Sequence, residues 1–271
     1  MGEFRGWGGA ALVTGGSEGI GLEIARQLAM RRIDLLLVAR SAANLRVQSQ
    51  KLASAHGVRV EWVDADLAAA DGVARLMDRL RDVDLNFDVL VNNAAFGING
   101  GFGSQGAARE GEMLRLNVAA PAELTANLLP GMIRRRRGLI LNVGSTAGFR
   151  PVTWIGAYAA SKSFLLDWTI ALDCELRGTG VRAAILCPGT TATNFHVVSG
   201  AVRTGHRTGV FGQQSAAKVA EECMKGLDRG RRVIVTGPTN RLHQMLSWVV
   251  PRWLAAEISW RVIRPKAKPR T

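Results

Sequence analysis

Short runs of aliphatic and β-branched residues recur along the chain at residues 10–14, 34–38, 58–63, 88–92, 138–143, 181–186 and 232–235. Their hydrophobicity is continuous rather than alternating, which marks strands buried on both faces. Between them the apolar positions fall into helical period, as in IGLEIARQLAMRR from Ile20 and SKSFLLDWTIALDCELR from Ser161. Strands that alternate with helices predict an α/β fold with a doubly wound parallel sheet, whose ligands lie beyond the carboxyl ends of the strands. Two long stretches without clear period, residues 96–112 and 194–214, are expected as loops at that edge.

Composition narrows this picture. With 271 residues, 47% hydrophobic content and 31 glycines, the chain can bury one large core and needs only one domain. Cys174, Cys187 and Cys223 stand far apart with no CxxC spacing, so they predict buried thiols in a reducing compartment, with no disulfide framework and no metal site. The glycine-interrupted N-terminus is too short in apolar residues for a signal-peptide core, and no stretch supplies about 20 uninterrupted apolar residues for a membrane span. The expected location is cytoplasmic, free or on a membrane surface. The formal charge of +13 is uneven: residues 229–271 hold ten Lys or Arg against one acid, Glu257, a balance of +9 that leaves +4 for residues 1–228. We therefore divide the chain into a catalytic unit, residues 1–240, and a basic amphipathic C-terminal extension, residues 241–271.

The first strand runs directly into TGGSEGIG, residues 14–21, and then into a helix. Gly15, Gly19 and Gly21 let the backbone turn sharply, let a pyrophosphate approach the helix N-terminus and let the helix pack close to the strand. This is a Rossmann-type signature in its strand-turn-helix context, with Ser17, Glu18 and Ile20 inside the turn. Arg40 ends the second strand, where a NAD enzyme would present a carboxylate to the adenosine ribose; a guanidinium there favours the 2′-phosphate of NADP(H) over NAD(H). A solvated strand end is the plainer reading of Arg40. Asp66 after the third strand would accept from the adenine amino group, with Leu67 beside the ring, or would simply start a loop.

The chain holds a single tyrosine, Tyr158, followed four positions later by Lys162, one of six lysines. Spacing i, i+4 sets both on one helix face, where a cation would make a phenol with an ordinary pKa near ~10 easier to ionise. A surface Tyr over a Lys stem is the alternative. Ser145 follows the fifth strand, where its hydroxyl would donate to a substrate oxygen gaining charge. Asn117 sits in an otherwise apolar helix, unfavourable unless its amide bonds backbone or water.

Together TGGSEGIG, NNAA at residues 92–95, Asn117, Ser145, YAASK at residues 158–162 and PGTTAT at residues 188–193 resemble the short-chain dehydrogenase/reductase family in its single-domain form, from about residue 10 to 195. Ala95 departs from the glycine usual after NNA and slightly narrows the backbone's approach to a cofactor. The resemblance implies Tyr158 as general acid for carbonyl reduction, Lys162 lowering its pKa and binding the nicotinamide ribose, Ser145 orienting the carbonyl, and Asn117 holding a water that links Lys162 to solvent. It implies cofactor contacts from Asn93 and Ala94 and, around the carboxamide, from Pro188, Gly189, Thr191 and Thr193. The expected activity is NADPH-dependent reduction of a hydrophobic, lipid-like, acyl-derived or steroid-like carbonyl to an alcohol. The alternatives are an alcohol dehydrogenase working oxidatively and a non-catalytic scaffold or sensor. Phe96, Phe102, Phe149, Trp154, Phe195 and His196 are the candidate substrate-pocket residues, with His196 a catalytic helper or a solvated loop residue. The family commonly forms homodimers or homotetramers.

From Arg241 onward, apolar residues recur at near-helical spacing with Arg and Lys between them. Pro251, Arg252 and Glu257 interrupt the run, so it is expected to lie in a membrane interface or to pack on the protein's own body or on a partner subunit. The run IRRRRG at residues 133–138 invites a nucleic-acid reading, but it lies away from the cofactor edge without interleaved aromatics and is expected to be a solvated loop.

Overall fold

The computed structural model describes residues 9–192, 213–247 and 249–263. The strands are β1 (Ala10–Thr14), β2 (Leu35–Ala39), β3 (Val60–Asp64), β4 (Phe87–Asn92), β5 (Gly138–Val143), β6 (Val181–Cys187), the short β7 (Thr191–Ala192) and β8 (Gln214–Ser215), and β9 (Val233–Val235). The helices are α1 (Gly19–Ala29), α2 (Ala42–His56), α3 (Gly72–Leu80), α4 (Ala107–Leu114), α5 (Ala120–Arg134), α6 (Gly156–Glu175), α7 (Ala216–Asp228), α8 (Pro238–Ser247) and α9 (Arg252–Ile263). Seven strands form one sheet in the order β3-β2-β1-β4-β5-β6-β9, and every neighbouring pair is parallel. All seven apolar runs become strands of this sheet, with ends shifted by at most two residues.

Residues alternate between the two faces. Val13, Leu35, Leu37, Val91 and Leu141 pack against Ile24 and Leu28 of α1 and Val219 and Leu227 of α7. Leu12, Leu36, Leu90 and Ile140 pack against Leu76 of α3, Leu124 of α5 and Leu172 of α6. Both faces are therefore covered, as unbroken hydrophobicity requires. The chain winds outward from β1 through β2 to β3, then returns to start β4 on the other side of β1. That reversal leaves a crevice at the carboxyl ends of β1 and β4, where no crossover covers the edge.

Local details tie the frame down. Ser41 caps α2 by accepting from the Asn44 amide at 3.3 Å, and Ser215 caps α7 by accepting from the Lys218 amide at 3.2 Å. The arginine run, expected to be a solvated loop, is tied into the frame. Arg135 and Arg137 reach Asp88 at 3.0 and 2.6 Å, and Arg136 donates to the Gly178 carbonyl at 3.1 Å. The Asp88 side chain is wholly buried at the start of β4, and a Cβ on Gly9 would stand 2.3 Å from its carboxyl carbon. Cys187 and Cys223 are buried as expected, but Cys174 is exposed. It lies two residues beyond buried Leu172, about 200° around α6.

The stretch 96–112 is not all loop, because α4 begins at Ala107 and turns Glu110 and Met113 inward. The expected boundary at Arg241 falls inside α8. Among the described residues, no helix is long and apolar enough to cross a membrane.

Candidate active site

The glycine turn is held to the end of β4 by side chains from both segments. The Thr14 hydroxyl donates to the Val91 carbonyl at 3.2 Å and accepts from the Asn93 and Ala94 amides at 2.9 and 3.0 Å. The Asn93 side-chain Nδ2 donates to the carbonyls of Thr14 and Gly15 at 2.9 and 3.2 Å. Gly15 has φ of 64°, and a Cβ there would meet Asn93 Nδ2 at 2.6 Å. A Cβ on Gly21 would come within 2.3 Å of the Gly15 carbonyl oxygen. Side chains at either position would thus push the turn and α1 away from the crevice.

That crevice is a cleft of about 1160 Å³, larger than the ~300–1,000 Å³ typical of a single small-molecule site and roomy enough for a dinucleotide with a substrate. Gly15, Ser17, Glu18, Gly19, Ile20, Arg40, Asp66, Leu67, Asn93, Ala94, Pro188, Gly189 and Thr191 all line it. Gly21 does not; its part is the close packing of α1. Thr193, Phe195 and His196 lie outside the described residues. Asp66 also serves its turn, accepting from the Ala68 amide at 3.0 Å. Ser41 and Asn44, unmarked in the sequence reading, join Arg40 at the N-terminus of α2 and line the same end.

At the other end, Ser145 follows β5 and caps the 3-10 turn Thr146–Phe149, accepting from the Ala147 amide at 3.1 Å. Tyr158 and Lys162 enter from the first turns of α6, and all three line the cleft. The Tyr158 hydroxyl hydrogen-bonds the Ser145 side chain, which eases its ionisation, but burial dominates and pushes the phenol up to about 12. Lys162 Nζ lies 5.8 Å from the Tyr158 ring centre and donates to the Val143 carbonyl at 2.8 Å. Burial pulls its ammonium down to about 8. Desolvation is the larger effect on the phenol, and the lysine is itself desolvated.

Asn117 belongs to a π-helical turn, Arg115–Ala119, between α4 and α5. Such turns displace a side chain from the regular helix face and recur at functional sites. Its amide accepts from the Phe96 N–H at 3.2 Å and donates to the Phe96 carbonyl and the Ser161 hydroxyl at 3.0 and 3.1 Å. Asn117 therefore fixes the segment after β4 against α6, three residues from Tyr158 in sequence.

The aromatic pocket differs from expectation. Phe96 is buried at the cleft wall, with Arg109 3.9 Å above its ring. Phe149 turns away to pack with Leu165, Leu166 and Cys187, and Phe102 is 85% exposed. Trp154 does not line the cleft either. Its backbone has φ of 68°, its carbonyl accepts from the Gly100 amide at 2.8 Å, and its ring lies under Gly101. Pro151, Val152 and Ile155 take these places, joined by Ile258, Ser259 and Val262 of α9 and by Arg150. The Thr153 amide donates to the Ser259 hydroxyl at 3.0 Å, which fastens α9 to the loop before α6. The helical spacing of the tail announced a helix, but nothing local told which surface it would meet.

A parallel sheet with a glycine turn after its first strand, and with Ser, Tyr and Lys gathered at the end of β5, defines a nucleotide-dependent oxidoreductase of one kind. The family model described as short chain dehydrogenase matches residues 9–202, and this chain belongs to the short-chain dehydrogenase/reductase family. It is 34% identical over 218 residues to a ketoacyl reductase of Nostoc sp., covering 80% of this chain and 76% of the relative. It is 32% identical over 182 residues to a very-long-chain 3-oxoacyl-CoA reductase of Aspergillus clavatus, covering 66% of this chain but only 52% of that protein. Among solved structures, a short-chain dehydrogenase from Sphingobium yanoikuyae in complex with NADPH superposes with a TM-score of 0.78 at 28% identity, covering 97% of this chain and 100% of that one.

Proposed function

We propose that this protein is an NADPH-dependent reductase that converts a hydrophobic, acyl-derived carbonyl to an alcohol. The observation that carries the reading is the Ser145, Tyr158 and Lys162 group in a cleft whose far wall is Phe96, Pro151, Val152, Ile155, Ile258 and Val262. Polar groups converge at one point and the rest of that end is apolar, which suits a long-chain or ring ketone better than a sugar. The ketoacyl reductase relative supports the same substrate class.

The residues fit a nicotinamide dinucleotide. Gly15 and Gly19, at φ of 64° and 59°, open the turn to a pyrophosphate at the N-terminus of α1. Arg40, Ser41 and Asn44 form a cationic, donor-rich corner suited to a 2′-phosphate, which favours NADP(H) over NAD(H). When bound, the reduced cofactor supplies the hydride.

The chain's own groups then handle the oxygen. A phenol held up to about 12 keeps its proton at neutral pH, so Tyr158 is poised to donate it to the carbonyl oxygen. The Ser145 hydroxyl, hydrogen-bonded to Tyr158, orients that oxygen and stabilises its growing charge. Lys162, charged below about pH 8, faces the phenolate left behind and would lead a proton back to it. Asn117 is a positioning residue that holds Phe96 and α6 in register.

The test is NADPH oxidation against a panel of hydrophobic ketones and 3-oxoacyl thioesters, with NADH as control. We expect Tyr158→Phe to lower turnover on the order of 10²- to 10⁴-fold while NADPH still binds. Near wild-type turnover in that variant, or indifference between the two cofactors, would overturn the corresponding part of the reading.

A further inference from the structure

The segment after β9 carries a surface that the reaction does not use. Helix α8 turns Leu242, Met245 and Leu246 to solvent at positions i, i+3 and i+4, and Val249, in the turn that follows, continues the stripe; Met245 is 69% and Val249 81% exposed. A stripe of this spacing is the face a helix ordinarily buries. Here the opposite side already rests on the 3-10 turn after Ser145, so the stripe points outward. Three residues after Val249 the chain enters α9, where Trp253 is 73% exposed.

This surface adjoins the cleft. Val250, next to Val249, lines it, and α9 turns Ile258 and Val262 into it. The same stretch of sequence is basic: residues 241–271 contain seven Lys or Arg against the single acid Glu257. Glu257 is paired with Arg261 at 2.9 Å and Arg241 with Glu222 at 3.0 Å, which leaves Arg252 as the described cation at the start of α9. An apolar helix face, an adjacent tryptophan and a strongly basic sequence together match the chemistry of an anionic lipid surface. A second copy of this chain fits less well, since apposing the two segments would bring like charges together.

We propose that α8 and the start of α9 dock the protein on an anionic lipid surface, with Leu242, Met245, Leu246, Val249 and Trp253 among the headgroups and the cleft mouth facing the bilayer. The further consequence, that a hydrophobic carbonyl compound enters from the lipid, rests on the function proposed above; the docking itself does not.

The full-length protein is sedimented with phosphatidylglycerol–phosphatidylcholine vesicles and with phosphatidylcholine vesicles alone, at low and high salt, without substrate. We expect binding to the anionic vesicles that weakens steeply with salt and with removal of the anionic lipid. Met245→Ser with Leu246→Ser should lower the partition coefficient on the order of 10- to 100-fold. Both residues are exposed, so an unchanged circular dichroism spectrum and unfolding midpoint are expected, and light scattering should give one mass for both proteins. No binding to anionic vesicles, or equal binding to both vesicle types, overturns the proposal. So does a wild-type oligomer that the double variant dissociates, since a second copy then covers the stripe. Vesicle binding without ketone reduction would leave the docking standing and remove the enzymatic reading.

Discussion

Replacing Lys162 with methionine separates what the fold gains from what the chemistry requires. The side chain is 3% exposed, so solvent screens its charge little. Burial pulls its ammonium from an ordinary 10.5 down to about 8. At about 1.4 kcal/mol per pKa unit, keeping the charge inside the fold costs about 3 kcal/mol at pH 7. The cost is full below pH 8. Between about pH 8 and 10.5 the unfolded chain holds a proton that the folded chain has lost, so this contribution to stability rises with pH. By pH 10 most of the penalty has gone, leaving a change of about 2 to 3 kcal/mol from pH 7.

Methionine has a similar length and no charge, so Lys162→Met removes that pH dependence. It also loses the bond to the Val143 carbonyl, about 1 kcal/mol at every pH. Tyr158, Cys187 and Cys223, each pushed up to about 12 by burial, act in the opposite sense in alkali, because the unfolded chain releases their protons first. They are present in both proteins; the Cys187 thiol, which Lys162 draws down, rises further in the variant but is protonated in the folded chain at pH 10 in both, so the three contributions nearly cancel in the comparison. Urea unfolding of both proteins at pH 7 and pH 10, at one concentration, gives the double difference. The variant should gain on the wild type at pH 7 by about 2 to 3 kcal/mol relative to pH 10, while losing turnover. An advantage that is the same at both pH values would show that the buried amine carries no such penalty, and the account of the site would fail.

Other outcomes follow from the same geometry. Reduction should slow as pH rises through about 8, where Lys162 loses the charge that faces the phenolate, and a pH–kcat profile flat to pH 10 would contradict this. Arg40→Ala should weaken NADPH binding roughly 10- to 100-fold, the worth of one charge-assisted phosphate contact, and leave NADH binding unchanged in a fluorescence titration. Asp88→Ala leaves Arg135 and Arg137 facing each other without their carboxylate; because both arginines are partly exposed, the loss should be about 3 kcal/mol, and a shift below about 1 kcal/mol in urea unfolding would show that the pair is not holding β4.

Much of the site was legible because its chemistry is written locally. The glycines of the first turn, Asn93 after β4, Ser145 after β5 and the Tyr158–Lys162 spacing each fall at a strand end or on one helix face, and parallel winding brings those ends together. The arginine run was not legible. Its charges suggest solvent or phosphate until the fold sets Arg135 and Arg137 beside Asp88, 47 and 49 residues away. Phe149 and Trp154 misled for a related reason: both are near Ser145 and Tyr158 in sequence, but the 3-10 turn and the left-handed backbone at Trp154 send them elsewhere.

The sequence by itself determined the sheet, its two covered faces, the glycine turn and the gathering of Ser145, Tyr158 and Lys162, because apolar period and residue spacing are short-range properties of the chain. Only the tertiary structure decided that α9 would wall the cleft, that Pro151, Val152 and Ile155 would line it, and that the stripe on α8 would face outward. Periodicity tells which face of a helix is apolar, not which surface that face will meet; the partner is fixed by contacts such as Thr153 to Ser259, 106 residues apart, that form only once the sheet has closed.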